Sequence, residues 1–439
     1  MAVEGPTGRM ISTRILIISD THAHLPLPAE GSTVPFHHPL PAADVLIHCG
    51  DLTMNGELSQ HEAAVALLTS SSAALKIVIP GNHDLTLDRA YYHRFPGLHA
   101  AYGPYVDTTL DRIRALYTSP EARAAGIRYL EEGVARFTLR NGARLAVYAS
   151  AYQPEFCNWA FGYARSVDRF NSPRHGELGG GGGPECPVPD HGEIDVMITH
   201  GPPKGILDKV WRGEGRDGEN VGCGHLRTAV ERCRPRIHCF GHIHEAWGAV
   251  MKRWDVERGG APEGVYTAAE DGLPTFDDGN DGTGRGDRDG EQSGPVTMSI
   301  RGSSSSISHP STVDPSQRQQ TPEPETTLPK EPNPPYHPHD NPNSYYMYTD
   351  PRTDQHRRVQ QDMPSQAAVR AGETLLRPEA YEDQVRRRCA SVDARGLEFG
   401  RETLFVNASI MNLRYRPLNA PWVVDVMLPE EPGRASAEE

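Results

Sequence analysis

The sequence predicts an α/β fold, and three observations predict it. Short, continuously apolar, β-branched runs recur along the chain, and each stops at a turn residue. A helical stretch lies between the second and third of them. A polar loop carrying aspartate or histidine follows directly after these runs.

Residues 14–19 (RILIIS) break at Asp20, 44–49 (DVLIHC) at Gly50-Asp51, and 75–79 (LKIVI) at Pro80-Gly81. Apolar runs bounded in this way read as strands buried on both faces. Residues 58–69 (LSQHEAAVALLT) read as a helix, so strand, helix and strand make a βαβ unit. A further helix is expected over 108–117. Within 134–150, two alternating runs flank Asn141-Gly142, the strongest short-range hairpin signal. The glycine run 179–183 reads as a flexible surface loop. Residues 194–199 (IDVMIT) form a strand ending at His200, 225–233 a helix, and 236–240 (RIHCF) a strand ending at Gly241-His242. Residues 404–412 and 422–428 return to strand character around a 417–421 turn, and are expected to form a closing hairpin.

The chain has 439 residues, room for one large or two ordinary domains. Its 37% hydrophobic share is low, and 43 glycines and 38 prolines are in excess, so part of the length is expected not to pack. That part is 257–395, which runs through DDGNDGTGRGDRDG and TPEPETTLPKEPNPPYHPHDNP. It has too few apolar residues to offset its chain entropy, and is expected to be a long disordered insertion. The bland reading is a solvated spacer; the sharper one is a protein-partner docking segment using its prolines. A short helix near 379–388 fits within it. The expected organisation is a flexible N-terminus at 1–13, one domain at 14–256, the insertion, closing strands at 396–429 and a tail at 430–439.

The formal net charge of -14 excludes a polymer of nucleic acid as an electrostatic partner. A small anionic substrate then needs a local positive centre, such as metal ions. Seven cysteines without a CxxC pair suit reduced thiols, hence an intracellular setting, cytoplasmic with nuclear as the alternative. No signal pattern opens the chain, and no apolar run approaches the roughly 20 residues of a membrane span.

Five short motifs occur in order: Asp20-Thr21-His22, Gly50-Asp51, Gly81-Asn82-His83-Asp84, His200-Gly201 and Gly241-His242-Ile243-His244. Each follows an apolar strand, and functional side chains of open α/β sheets gather past the carboxyl ends of strands. Oxygen and imidazole donors without thiolate suit manganese, iron or zinc in a catalytic site. Alone, each motif is weak, since a single HG or HxH is more often a packed or solvated histidine. Together, at strand ends, they argue for one metal-binding constellation.

These motifs resemble the calcineurin-like metallophosphoesterases over 15–254 and the last strands. GNHDLTLD (81–88), THGPPKGILD (199–208), FGHIHEAWG (240–248) and FVNAS (405–409) look like the metallophosphoesterase-domain subfamily, which includes brain cyclic-nucleotide phosphodiesterases and fungal homologues. The resemblance implies a four-layer α/β/β/α sandwich with two metals at the sheet edge. It also implies ligands: Asp20, His22 and His244 for the first metal, Asn82, His200 and His242 for the second, and Asp51 bridging both. Manganese is favoured over iron or zinc.

Two metals about 3.5–4 Å apart can bridge a water and lower its pKa, giving a hydroxide for in-line attack on phosphorus. His83 is expected to be the general acid to the leaving oxygen or a cationic clamp; a supporting histidine is the plainer alternative. Asp84 and His24 are expected to orient neighbours, and Asp208 to be a supporting carboxylate. In 158–165 (NWAFGYAR), Trp159, Phe161 or Tyr163 could stack on a nucleobase with Arg165 holding phosphate; loop packing is the plainer reading. The function expected is a phosphodiesterase on a small phosphate-ester substrate such as a cyclic nucleotide. The alternative is a metal-binding scaffold working through its insertion. A protein serine/threonine phosphatase is disfavoured because no Asp-Arg pair follows the Gly50-Asp51 motif closely. Oligomeric state is not legible.

Overall fold

The computed structural model describes residues 8–100, 104–172, 186–210, 218–254 and 372–432. Strand β1 (Met10–Ile18) shows why the apolar runs do not alternate. Ile15 and Ile17 point into one apolar cluster, Leu16 and Ile18 into another, and all four are fully buried. A strand covered on both faces needs an apolar residue at every position. Strands β2 (Val45–His48), β3 (Leu75–Val78) and β4 (Ile127–Tyr129) follow in parallel. Helix α1 (Leu58–Ser70) makes the crossover from β2 to β3. Helices α2 (Arg89–Arg94), α3 (Asp107–Thr118) and α4 (Pro120–Ala124) lie between β3 and β4.

The hairpin of β5 (Gly133–Thr138) and β6 (Arg144–Ser150) turns at Asn141-Gly142 as expected, with Gly142 in the left-handed region at φ 91°. Strands β7 (Gln153–Pro154) and β8 (Gly162–Tyr163) pair within the loop that follows. Next come β9 (Val196–Thr199), the short pair β10 (Lys209–Val210) and β11 (Glu219–Asn220), α5 (Gly224–Cys233), β12 (Ile237–Phe240) and β13 (Gly248–Arg253). The chain resumes with β14 (Glu373–Leu376), α6 (Tyr381–Arg387), β15 (Ala390–Ala394), β16 (Glu402–Asn407) and β17 (Trp422–Pro429).

Two sheets result. One runs β15-β17-β1-β2-β3-β4, the other β14-β13-β16-β12-β9-β6-β5. Their inner faces share one core, in which Ile15, Ile17, Ile47 and Val424 meet Val147, Ile198, Cys239 and Val406. Helices α1, α3 and α4 cover the outer face of the first sheet through Leu67, Leu68, Ile113 and Tyr117. Helix α5 covers the second through Leu226, Ala229 and Val230 against Met197, Phe240 and Phe405. This is the four-layer α/β/β/α sandwich. Each fully buried Leu, Ile or Phe contributes about 1.5–3 kcal/mol to it.

Three expectations need correction. The last two strands are not a hairpin: β16 pairs with β12 and β13, whereas β17 pairs with β1 and β15 in the other sheet. Both are too apolar to leave a face uncovered, so each enters a separate sheet and 408–421 crosses between them. The expected insertion 257–395 ends too late. Its stretch 255–371 lies outside the described residues, but Glu373 onward forms β14, α6 and β15, with Ala390 and Ala394 buried against the core. The expected flexible N-terminus 1–13 is likewise too long. Met10–Thr13 belongs to β1 because it pairs with Val426–Pro429. Residues 1–7, 433–439 and the glycine run 179–183 lie outside the described residues.

Candidate metal centre

The five motifs meet at one edge. Asp20 and His22 follow β1, Asp51 follows β2, and Asn82, His83 and Asp84 follow β3. His200 follows β9, and His242 and His244 follow β12. Both sheets therefore supply donors, and a parallel bridge between Ser19 and Ser409 ties them together beside the site. The backbone pays locally for this convergence: Asp20, His22, Ala23, Asp51 and His242 all have φ between 45° and 67°. Such non-glycine positions cost about 1–3 kcal/mol each and persist only where the surroundings over-determine them. Here amide bonds do so, from Asp20 to the Gly50 carbonyl (2.9 Å), His22 to Asp51 (3.0 Å) and Ala23 to Leu52 (2.7 Å). Glycine is required where the loops touch. A Cβ at Gly81 would fall on the Asp51 carboxylate and one at Gly241 on that of Asp20.

Four histidines are oriented by the same device. The Nδ1–H of His22 donates to the Thr53 carbonyl (3.0 Å), that of His83 to Met54 (2.7 Å), that of His200 to Cys49 (3.0 Å) and that of His244 to Asn412 (3.2 Å). A carbonyl can only accept, so in each neutral ring the lone pair is left on Nε2. Those lone pairs face other acceptors. His22 Nε2 lies 3.4 Å from His244 Nε2, and His200 Nε2 lies 2.8 Å from Asn82 Oδ1. His244 is the exception: its Nε2 lies 3.4 Å from Asp20 Oδ1, and although burial works to lower its pKa, the hydrogen bond and charge of Asp20 raise it, so in the metal-free chain this ring can hold a second proton toward the carboxylate. Asp51 spans both groups, with Oδ2 3.7 Å from His22 Nε2 and Oδ1 3.4 Å from His200 Nε2.

Buried acceptors facing acceptors repel unless something positive sits between them, so this donor set fits metal cations. Ligand atoms within 4.8 Å of one another group as Asp20, His22 and His244, as Asp51, His200 and His242, and as His22, Asp51 and His83. Oxygen and imidazole without sulfur match manganese, iron or zinc. The electrostatics agree. Burial, then the charges of Asp20 and Asp84, push the Asp51 carboxyl well above its ordinary range. Burial also works to raise Asp20, but the His244 hydrogen bond and the charges of His244, His200 and His22 outweigh it and hold Asp20 low. Burial lowers His22 and His200, and takes His83 and His242 to about 3.

Residues 13–246 match the family described as calcineurin-like phosphoesterase. The chain belongs to that family. It is 32% identical over 242 residues to metallophosphoesterase domain-containing protein 1 of Homo sapiens and, equally, of Mus musculus. Each alignment covers 54% of this chain and 62% of the relative. A protein of Emericella nidulans named probable rhamnogalacturonate lyase C is 32% identical over 245 residues, 55% of this chain but 18% of that one. The chain thus spans less than two thirds of these relatives.

Beyond the seven ligand candidates of the family site, the other expected residues divide. Asp84 is fully buried and orients loops: its carboxylate accepts from the amides of Gly81 (2.7 Å), Leu52 (3.1 Å) and Thr53 (2.9 Å) and from the Thr53 hydroxyl (2.7 Å). Burial, opposed by those bonds, raises its pKa to about 6. Asp208 Oδ2 holds the amides of Gly205 (2.8 Å) and Gly222 (2.9 Å). His24 is exposed, its Nδ1 3.2 Å from the His22 carbonyl. Arg165 holds backbone, as the plainer reading of this loop has it. Its two terminal nitrogens donate to the carbonyls of Gly222 and Val221 (3.0 Å each), tying the aromatic loop to the 218–223 segment. Cys49 and Cys239 are buried in the core between the sheets, and all seven cysteines are free thiols.

Sequence reasoning missed Ser409, Asn412 and Tyr415. Ser409 Oγ donates to Asp20 Oδ2 (2.8 Å), Asn412 supplies the carbonyl that orients His244, and the Tyr415 ring packs edge-on against His22 (4.9 Å) and His244 (5.2 Å). Ser409 was within reach as part of the FVNAS motif. The other two lie in the crossover 408–421, where no pattern marks them.

Proposed function

We propose that the chain is a binuclear-metal-dependent phosphoesterase acting on a small phosphodiester. The observation that carries this is the convergence of imidazole Nε2 atoms on the carboxylates of Asp20 and Asp51 and the amide oxygen of Asn82. In this reading Asp20, His22 and His244 hold one metal, Asn82, His200 and His242 the other, and Asp51 serves both. Manganese is the ion to try first, with iron and zinc as the alternatives that a mixed oxygen and imidazole set also suits. A metal pair supplies Lewis-acid charge for the phosphoryl oxygens and a nucleophile drawn from water at neutral pH.

The chain's own side chains then do the rest. The Nδ1 bonds to backbone carbonyls hold each ligand ring in one tautomer. His83 stands beside the ligands rather than behind them, with its ring 4.7 Å from that of His22. Its Nδ1 is engaged by Met54, so Nε2 is the atom that meets substrate. A bound phosphate anion favours the charged imidazole that burial disfavours, and that imidazole can give its proton to the leaving oxygen. The Tyr415 ring stands beside His83 and His22 at the rim of the site, which suits a substrate carrying a planar group such as a nucleoside. The identity to the metallophosphoesterase domain-containing proteins supports that subfamily, and the resemblance of the sequence motifs makes a cyclic nucleotide the substrate to try first. Among the described residues no helix is long and apolar enough to cross a membrane.

The purified chain is expected to hydrolyse bis-p-nitrophenyl phosphate faster than p-nitrophenyl phosphate with added manganese, and to lose both activities to chelator. Turnover indifferent to chelator, or none with manganese, iron or zinc, would sink this reading.

A further inference from the structure

The loop from Glu155 to Phe161 carries local backbone strain. Cys157, Asn158 and Phe161 are non-glycine residues with φ of 51°, 53° and 56°. The same applies to His99, at 59°. Left-handed positions cluster where a surrounding structure holds a side chain for a task. The residue held in the middle of this loop is Trp159, and its indole is stacked on both faces. His99 lies on one side, with centroids 3.9 Å apart and planes 8° apart. His83 lies on the other, at 4.0 Å and 30°.

The loop is clamped by the segment that follows His83 in sequence. Asp88 Oδ2 accepts from the Phe161 amide (3.0 Å), and the Tyr91 hydroxyl donates to the Asn158 carbonyl (2.7 Å). Gln153 Nε2 donates to the Ala160 carbonyl (2.9 Å), and His99 Nε2 is 2.9 Å from the Cys157 carbonyl. The backbone on either side of Trp159 is therefore referenced to the chain that carries His83. His83 needs this. Its amide is fixed on Asp51 Oδ1 (2.9 Å) and its Nδ1 on the Met54 carbonyl (2.7 Å), but one hydrogen bond leaves the ring free to tilt about its broad terminal torsion. A flat surface at stacking distance removes that freedom.

We infer that Trp159 is a positioning residue for His83, its indole face setting the imidazole plane so that Nε2 meets the leaving oxygen. This rests on the phosphoesterase reading above. In the step concerned, the bond from phosphorus to the leaving oxygen breaks and that oxygen takes its electron pair. The proton on His83 Nε2 passes to the same oxygen as the water-derived oxygen bonds to phosphorus. Trp159 itself touches no reacting atom.

The test compares Trp159→Leu and Trp159→Phe with the wild-type chain, with manganese, on methyl aryl phosphates. p-Nitrophenolate leaves without help from an acid, whereas phenolate needs its proton. For Trp159→Leu the ratio of kcat on the p-nitrophenyl ester to kcat on the phenyl ester is expected to rise about tenfold, within the about 10²-fold that a misplaced group can cost. KM should stay constant, Trp159→Phe should restore most of the ratio, and adding Trp159→Leu to His83→Ala should cost nothing more. Metal-free protein labelled at its histidine nitrogens gives a reading independent of turnover. The Nδ1–H signal that His83→Ala removes should persist in Trp159→Phe and broaden in Trp159→Leu.

Equal losses on both esters, additivity with His83→Ala, or an unchanged His83 signal would overturn the inference while leaving the phosphoesterase reading intact. A wild-type protein inactive on every ester would take down the phosphoesterase reading, and the catalytic part of the inference with it.

Discussion

Asp51→Asn is expected to lower kcat by at least about 10²–10³-fold, the scale of losing one electrostatic stabiliser, and to raise the melting temperature of the metal-free protein. Both effects come from one geometry. Asp51 is the carboxylate within 3.4–3.7 Å of both His200 and His22, so it is the natural bridge between the two ligand groups. Asparagine keeps its shape and can still accept from the His83 amide, but it lacks the charge. Without metal, that charge is a liability, because burial and the neighbouring Asp20 and Asp84 push the Asp51 pKa up.

A carboxyl whose folded pKa is raised holds its proton more tightly in the folded chain than in the unfolded one. Its favourable contribution is therefore present below the ordinary carboxylate range and is lost as pH rises toward the folded value. At pH 8 metal-free wild-type protein bears the penalty and Asp51→Asn does not. Each kcal/mol relieved is worth roughly 2–4 °C for a domain of this size. Added manganese should reverse the order, since binding to the folded state stabilises it in proportion to affinity. Thermal unfolding of both proteins, with manganese and with chelator, checks the pair of effects. A variant less stable than wild type in chelator would contradict the charge argument.

His83→Ala is expected to keep its full metal content and lose about 10²–10⁴-fold in kcat on esters with poor leaving groups, the range that a general acid supplies. The ring lies within ligand reach of His22 and Asp51, so geometry alone also allows it to bind metal. Metal analysis separates these roles. Unchanged content with lost turnover assigns His83 to the substrate, whereas the loss of one metal per chain would make it a ligand. An activated p-nitrophenyl ester should suffer less than a phenyl ester, because its leaving group needs no proton.

Much of this centre is legible in sequence for a physical reason. A strand buried on both faces must be apolar throughout, so the first polar residues after it stand out. Asp20, Asp51, Asn82, His200 and His242 all fall there. The inner core strands were legible for the same reason. Strands β14 (ETLL) and β15 (ASVDA) were not, because edge strands carry polar residues and their local composition merges with the proline-rich stretch before them. The destination of β17 was also hidden, since an apolar run does not say which of two sheets it joins. Ser409 and Asn412 reach the ligands only through the crossover between sheets, some 390 residues from Asp20 in one case and 168 from His244 in the other. For Arg165 the sequence left two readings open, because a charge near an aromatic loop does not reveal that two backbone carbonyls hold it.

Anomalous diffraction from crystals soaked in manganese would show whether a binuclear centre sits among these side chains. Two peaks are expected, one among Asp20, His22 and His244, the other among Asn82, His200 and His242, with Asp51 between them. A single peak, or peaks away from these residues, would contradict such a centre.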